Sequence, residues 1–222
     1  MQKWPNYSGS VRVIYQSVRS VPEQPVTDTD FYDPYFVFCG RLRDVKDPLF
    51  CLRGFLAWKK LNPRNKIRLV VIGDVEEEGG EFLSESFSSH PDVIWVKSMS
   101  QNSVFFILKF SLGLINTSKS EGQCQTIMEA FMLKVPVIAR DNPGNLELLG
   151  SNGERGYLIK GNSIDSFVQS LTQVINDQRD GSIENKLSSA KSFILDERFN
   201  ANNERCSYVK LVKDALESKG NC

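Results

Sequence analysis

Two acids and two cations in this chain have the types and spacing to handle a ligand that is both charged and hydroxylated. Glu121 and Glu129 stand eight residues apart in Ser120-Glu121-Gly122-Gln123-Cys124-Gln125-Thr126-Ile127-Met128-Glu129, which runs from the end of an apolar strand into a helix. Backbone amides and the positive end of a helix suit an anion, while carboxylates accept hydroxyl groups. A sugar nucleotide offers both. Arg41 and Lys46, five residues apart in the turn after an earlier strand, are spaced to hold two phosphates of a nucleotide diphosphate, Arg by its planar fork and Lys as a mobile point charge.

The acids do not read as a glycosidase pair. Along a continuous helix eight residues span about 12 Å, whereas glycosidase carboxyls stand about 5 Å apart when retaining and roughly 6.5–9.5 Å apart when inverting. They suit gripping two ends of one ligand, Glu121 at a sugar and Glu129 at a ribose. Cys124 sits near a helix start, where a thiol pKa can fall, but the sequence shows no base to serve it as a nucleophile. Asp28-Thr29-Asp30 mimics a metal-binding acid pair, yet it lies ahead of the first regular strand instead of ending one. His90, the lone histidine, precedes Pro91 in a loop context.

The elements that must position these residues alternate. Apolar runs at 35–39, 67–72, 93–96, 112–116, 135–139 and 156–159 read as strands, and helical spacing occupies 49–61, 102–110 and 123–133. Such alternation predicts an α/β domain, a Rossmann-like parallel sheet with helices on both faces. The tail differs, with helices expected at 163–176, 183–194 and 201–216. Ligands of open parallel sheets sit beyond the carboxyl ends of the strands. Gly40-Arg41, Gly73-Asp74, Lys97-Ser98-Met99, Ser120-Glu121-Gly122 and Asp141-Asn142-Pro143-Gly144 all fall on that rim, so Gly40, Gly73, Met99 and Gln125 join the candidates for ligand contact.

Composition excludes several classes. Lys plus Arg and Asp plus Glu are both 27 in 222 residues, so no basic surplus argues for a nucleic-acid surface. Five cysteines without metal-ligand spacing fit a reduced, cytoplasmic compartment. The amino terminus lacks a signal-type apolar core, and the longest apolar run, 104–115, is interrupted by Lys109 and too short to span a bilayer. Residues 11–15 have strand character with no partner strand upstream, and 19–34, with three prolines, read as a linker. The expected division is therefore 1–34, a remnant strand plus linker, and 35–222, the ligand-binding domain.

The pattern resembles the retaining glycosyltransferases of the two-Rossmann-domain (GT-B) architecture, specifically their carboxyl-terminal, donor-binding half. The resemblance covers about residues 35–216 and rests on Gly40-Arg41 with Lys46, Val70-Val71-Ile72-Gly73, Ser120-Glu121-Gly122 with Glu129, Pro136-Val137-Ile138-Ala139, and Pro143-Gly144-Asn145 with Glu147. It implies that Arg41 and Lys46 neutralise a diphosphate leaving group, that the amides of Gly122, Gln123 and Cys124 contact sugar and phosphate, that Glu121 lies near the donor sugar, and that Glu129 holds the ribose. It also implies a nucleotide-sugar co-substrate, retention of anomeric configuration and no metal. Where such proteins usually have Glu-Gly-Phe-Gly, this chain has Glu121-Gly122-Gln123-Cys124. Donor sugar, nucleobase and acceptor depend on loop shapes and on an amino-terminal half of which only 11–15 is similar. A non-catalytic nucleotide-sugar binding module is the alternative, and an epimerase of the same architecture ranks below both.

Overall fold

The computed structural model describes residues 11–22, 33–75 and 80–219; Asp28-Thr29-Asp30 and most of the expected linker lie outside them. Six strands, β1 (Tyr35–Cys39), β2 (Arg68–Ile72), β3 (Val93–Val96), β4 (Gly113–Asn116), β5 (Val137–Arg140) and β6 (Tyr157–Ile159), form one sheet in the order β3-β2-β1-β4-β5-β6. Every pairing is parallel. Parallel strands need crossovers, and helices supply them. They are α1 (Pro48–Leu61), α2 (Gly80–Ser88), α3 (Gln101–Lys109), α4 (Gln125–Met132) and α5 (Pro143–Leu149), followed by α6 (Ile164–Asp180), α7 (Glu184–Ile194) and α8 (Ala201–Lys219).

Both sheet faces are covered, as the near-continuous apolar strands require. On β1, Phe36 and Phe38 enter a core with Phe50, Phe55 and Trp58 of α1 and Phe167 and Leu171 of α6. Tyr35 and Val37 point the other way, into a smaller cluster with Val104 and Ile107 of α3. Helix α1 reaches α6 through Gly54, where a Cβ would stand 2.0 Å from the Phe167 ring. β1 is followed by β2 on one side and has β4 on the other, so the winding direction reverses between β1 and β4. In sheets of this order the crevice beyond that switch point receives the ligand.

By contacts the chain divides into residues 18–195, which hold the sheet and α1 to α7, and residues 1–17 with 196–222. In the second unit the expected strand at 11–15 is not formed. A strand exists by pairing, and no strand pairs with this segment among the described residues; side-chain contacts hold it instead. Tyr15 meets Phe199 edge-on at 5.5 Å, the Ser17 amide and hydroxyl donate to Glu204 at 2.8 and 2.6 Å, and Arg12 pairs with Asp214 at 2.5 Å. No helix among the described residues is long and apolar enough to cross a membrane.

Two helices are absent from the sequence reading. α2 opens at Gly80 after the acidic residues 76–78, in a stretch for which no element is expected. α5 opens at Pro143, where the sequence suggests only a rim turn. Asn142 caps it by accepting from the Asn145 amide at 3.0 Å, and proline is preorganised for a first helical position.

Candidate functional site

The strand ends bring their backbones together first. The Gly40 amide donates to the Ile72 carbonyl and the Gly73 amide to the Val96 carbonyl, both at 3.0 Å. Gly73 has φ +149°, and a Cβ there would lie 1.9 Å from the Gly40 carbonyl oxygen. Only glycine permits that approach. Beyond Gly40 the exposed Arg41 leads into a single 3-10 turn, Asp44–Lys46.

That turn is stitched to β4 and β5. The Thr117 hydroxyl reaches the carbonyls of Lys46 and Asp47 at 3.0 and 2.9 Å, and the Lys119 amide donates to the Val45 carbonyl at 2.8 Å. Asp47, in the left-handed region at φ 48°, caps α1 by accepting from the Phe50 amide. Its other oxygen takes Arg140 of β5 at 2.9 Å, whose guanidinium lies 4.3 Å from the centre of the Phe50 ring. The backbone under Lys46 is therefore fixed from two neighbouring elements.

Lys46 and Glu121, 75 residues apart in sequence, meet at 2.6 Å. The Glu121 oxygen that receives Lys46 Nζ, Oε1, also accepts from Ser118 Oγ at 2.6 Å and Asn116 Nδ2 at 3.3 Å. Burial pushes the Glu121 carboxyl up, but the hydrogen bonds from Lys46 and Ser118 and the Lys46 charge outweigh it, so its pKa falls below the usual carboxylate value. It is an ionised acid at neutral pH with a cation already aligned. Asn145 Nδ2 donates to the Asn116 side chain and the Arg140 carbonyl at 3.2 and 2.9 Å, while Asn142 Nδ2 donates to the Ser118 carbonyl at 2.9 Å. Gly144 closes the contact from α5: a Cβ there would lie 2.3 Å from the Glu121 carbonyl oxygen.

Residues 121–124 precede the helix, since α4 starts at Gln125 with Cys124 as its N-cap. The expected start at 123 shifts by two residues, and the straight-helix span between Glu121 and Glu129 does not apply. Gly122 is exposed, with open space where a Cβ would project. Gln123 Nε2 reaches Met128 Sδ at 3.1 Å, Gln125 is half-buried in the first turn of α4, and Asn116 Nδ2 approaches Cys124 Sγ at 3.2 Å. Burial pushes the Cys124 thiol up to about 11 and the Cys39 thiol up to about 12; neither is an activated nucleophile. Met99 packs half-buried with Cys39, Ile94 and Phe106 beside the smaller core.

Glu129 is the most unusual acid of the rim. It is 2% exposed, and burial pushes its carboxyl up to about 7, against the pull of the Arg19 charge. Its Oε1 has no hydrogen-bond partner among the described residues. Arg19, in the segment before β1, holds it only as an ion pair at 3.6 Å. An orphaned buried carboxylate oxygen is costly unless a ligand donates to it.

The candidates at 40, 41, 46, 73 and 121 thus share the carboxyl edge of the sheet, and Glu129 and Cys124 lie near enough to Cys39 at the end of β1 to help push its thiol up. Asn142 and Asn145 stand in motifs of the sequence but receive no role of their own there, and Asn116, Thr117 and Ser118, which build the cleft floor with them, are not singled out, nor are Asp47 and Arg140, which clamp the turn. The run Asn116-Thr117-Ser118 at a strand end was the available signal. Arg19 gave none.

The pattern of the family described as "Glycosyl transferases group 1" matches residues 24–191. A Xenopus tropicalis protein described as "Glycosyltransferase 1 domain-containing protein 1" is 27% identical over 237 residues, covering 99% of this chain and 64% of its own length. An Escherichia coli "UDP-Gal:alpha-D-GlcNAc-diphosphoundecaprenol alpha-1,3-galactosyltransferase" is 29% identical over 150 residues, covering 64% of this chain and 37% of its own. Among solved structures, a glycosyltransferase from Rickettsia africae superposes with TM-score 0.70 at 17% identity, over 85% of this chain and 49% of that one. The pneumococcal O-GlcNAc transferase GtfA in complex with UDP and GlcNAc gives TM-score 0.64 at 19% identity, over 82% and 36%. The chain spans about two thirds or less of the length of these relatives.

Proposed function

We propose that this chain, which belongs to the glycosyl transferases of group 1, binds a nucleotide-sugar donor and transfers its sugar to an acceptor hydroxyl with retention of anomeric configuration. The observation that carries the reading is the 2.6 Å contact of Lys46 with Glu121 beyond the β1/β4 switch point, on the rim that also bears Arg41. The donor diphosphate occupies that edge, with Arg41 and Lys46 on its negative oxygens. Lys46 shifts toward the phosphate while keeping Glu121 as a neighbour, and the second Glu121 oxygen takes a sugar hydroxyl. The side chains of Lys46, Asn116 and Ser118 all donate to Oε1, so Oε2 is the oxygen assigned to that task. Open space at Gly122 admits the donor close to the backbone, and Glu129 takes the ribose hydroxyls.

In the transfer, the bond from the anomeric carbon to the diphosphate oxygen breaks and a bond from that carbon to the acceptor oxygen forms on the same face. The acceptor proton passes to the departing phosphate oxygen. Charge accumulates on the leaving diphosphate, so cations aligned before reaction supply the main stabilisation. Preorganisation explains why Lys46 is fixed by Thr117 and Glu121 before any ligand arrives.

A second reading is a nucleotide-sugar binding module without turnover, since the Lys46–Glu121 contact and the unsatisfied Glu129 oxygen account for binding a donor by themselves. Incubation with a panel of nucleotide-sugars, with released nucleoside diphosphate measured, separates the two. Release that drops at least tenfold in Lys46→Ala supports transfer or donor hydrolysis. Tight donor binding with no release supports the module, and no binding of any donor defeats both.

A further inference from the structure

We propose that Arg19 is a positioning residue of the donor site, holding Glu129 ready for the ribose from a segment outside the Rossmann core. The inference rests on the donor-site reading above and adds to it a residue remote in sequence from every motif on the rim.

Three observations carry it. Glu129 is 2% exposed and its Oε1, itself buried, lacks a hydrogen-bond partner among the described residues, so the carboxylate is withdrawn from water with its acceptor capacity unmet. Arg19 lies 3.6 Å from Oε1 with its own side chain 59% exposed. At that distance the guanidinium compensates the buried charge without donating a hydrogen bond to Oε1, so the acceptor capacity of that oxygen is kept for a ribose hydroxyl. The Arg19 guanidinium therefore works through Glu129 instead of replacing the ligand.

Among the described residues, Arg19 supplies the one charge that opposes the burial of Glu129. The elements packed on α4, namely α3, α7, β4 and β5, add no charge that shifts it, and from β1 the Cys39 thiol faces it, neutral at physiological pH. Burial has already pushed the Glu129 carboxyl up to about 7. Loss of Arg19 removes the only opposing charge, so the carboxylate form retreats to higher pH. Ionised Glu129 is the form that accepts both ribose hydroxyls.

The test compares affinity for UDP, GDP and ADP with affinity for their 2′,3′-dideoxy analogues from pH 5.5 to 9. The ratio of the two affinities cancels titration of the phosphate and isolates the ribose contact. In the wild-type chain the ratio rises with pH about a midpoint near 7 and gains several-fold between pH 6 and 8. Arg19→Gln moves the midpoint upward by at least half a pH unit with the same limiting ratio at high pH, and Arg19→Lys restores it. A ratio independent of pH, or an Arg19→Gln midpoint equal to the wild type, overturns the inference while diphosphate binding itself survives. A uniform loss of affinity for ribo and dideoxy ligands, with no midpoint shift, also overturns it, since that marks a merely structural arginine. No binding of any diphosphate overturns the donor-site reading as well.

Discussion

Lys46 and Glu121 have opposite needs that one contact meets: a cation waiting for phosphate must be held, and a half-buried carboxylate must be compensated. Charge-assisted hydrogen bonds at 2.6 Å are strong enough to do both. Glu121 has a folded-state pKa below its unfolded value, so its stabilising contribution is present above the unfolded pKa near 4.5 and is lost as pH falls through the folded one. Glu129 behaves in the opposite sense. Its folded pKa lies near 7, raised from 4.5, so the ligand-free fold loses stability as pH rises through that window. Glu129→Gln should accordingly raise the unfolding free energy at pH 8 by on the order of 2 kcal/mol and change it little at pH 5, while weakening diphosphate binding. Denaturant titrations at the two pH values check this, and a destabilised Glu129→Gln at pH 8 speaks against the buried, unsatisfied carboxylate. Arg41, Lys46, Glu121 and Glu129 stand out from type and spacing alone, and the fold joins Lys46 to Glu121. Asn116, Thr117 and Asn145 do not stand out, because an uncharged side chain gains its role only when the fold brings a distant backbone to it, as Thr117 meets Lys46 across 70 residues.

At the scale of elements, two glycines separate stability from binding. Gly54 lets α1 touch α6, and Gly54→Ala drives a methyl into the Phe167 ring, where a Cβ would stand 2.0 Å away. It should lower stability by about 1–3 kcal/mol and leave the affinity of the folded fraction for nucleoside diphosphate within about twofold. Gly144 lets α5 abut the Glu121 loop, and the atom that a methyl meets there is a backbone oxygen at 2.3 Å. Gly144→Ala should displace residues 121–122 and weaken diphosphate binding at least fivefold, read by calorimetry beside a thermal melt. Equal effects of both substitutions on affinity contradict this division. The strands were legible because each is a short apolar run ended by a breaker, as β1 ends at Gly40 and β2 at Gly73. Helices α2 and α5 were hidden, one behind acidic and glycine-rich residues and the other behind Pro143-Gly144, which reads as a turn until Asn142 is seen to cap it. The strand expected at 11–15 shows the converse: β-prone residues make no strand without a neighbour, and Tyr15 packs against Phe199 instead.

For the whole molecule, strand order decides where chemistry sits. The arrangement β3-β2-β1-β4-β5-β6 opens its crevice between β1 and β4, and the turns after these two strands carry Lys46 and Glu121. No periodicity in the sequence states that order; it follows from which crossovers pack, and it converts two separate motifs into one cleft. Donor binding is the property that the residues of this cleft serve directly. Isothermal titration of the purified chain with UDP, GDP and ADP, repeated with Lys46→Ala, tests that most directly. Saturable binding of at least one diphosphate, weakened tenfold or more (about 1.4 kcal/mol) by the substitution, is the expected result; binding of none, or equal binding by wild type and Lys46→Ala, contradicts the account.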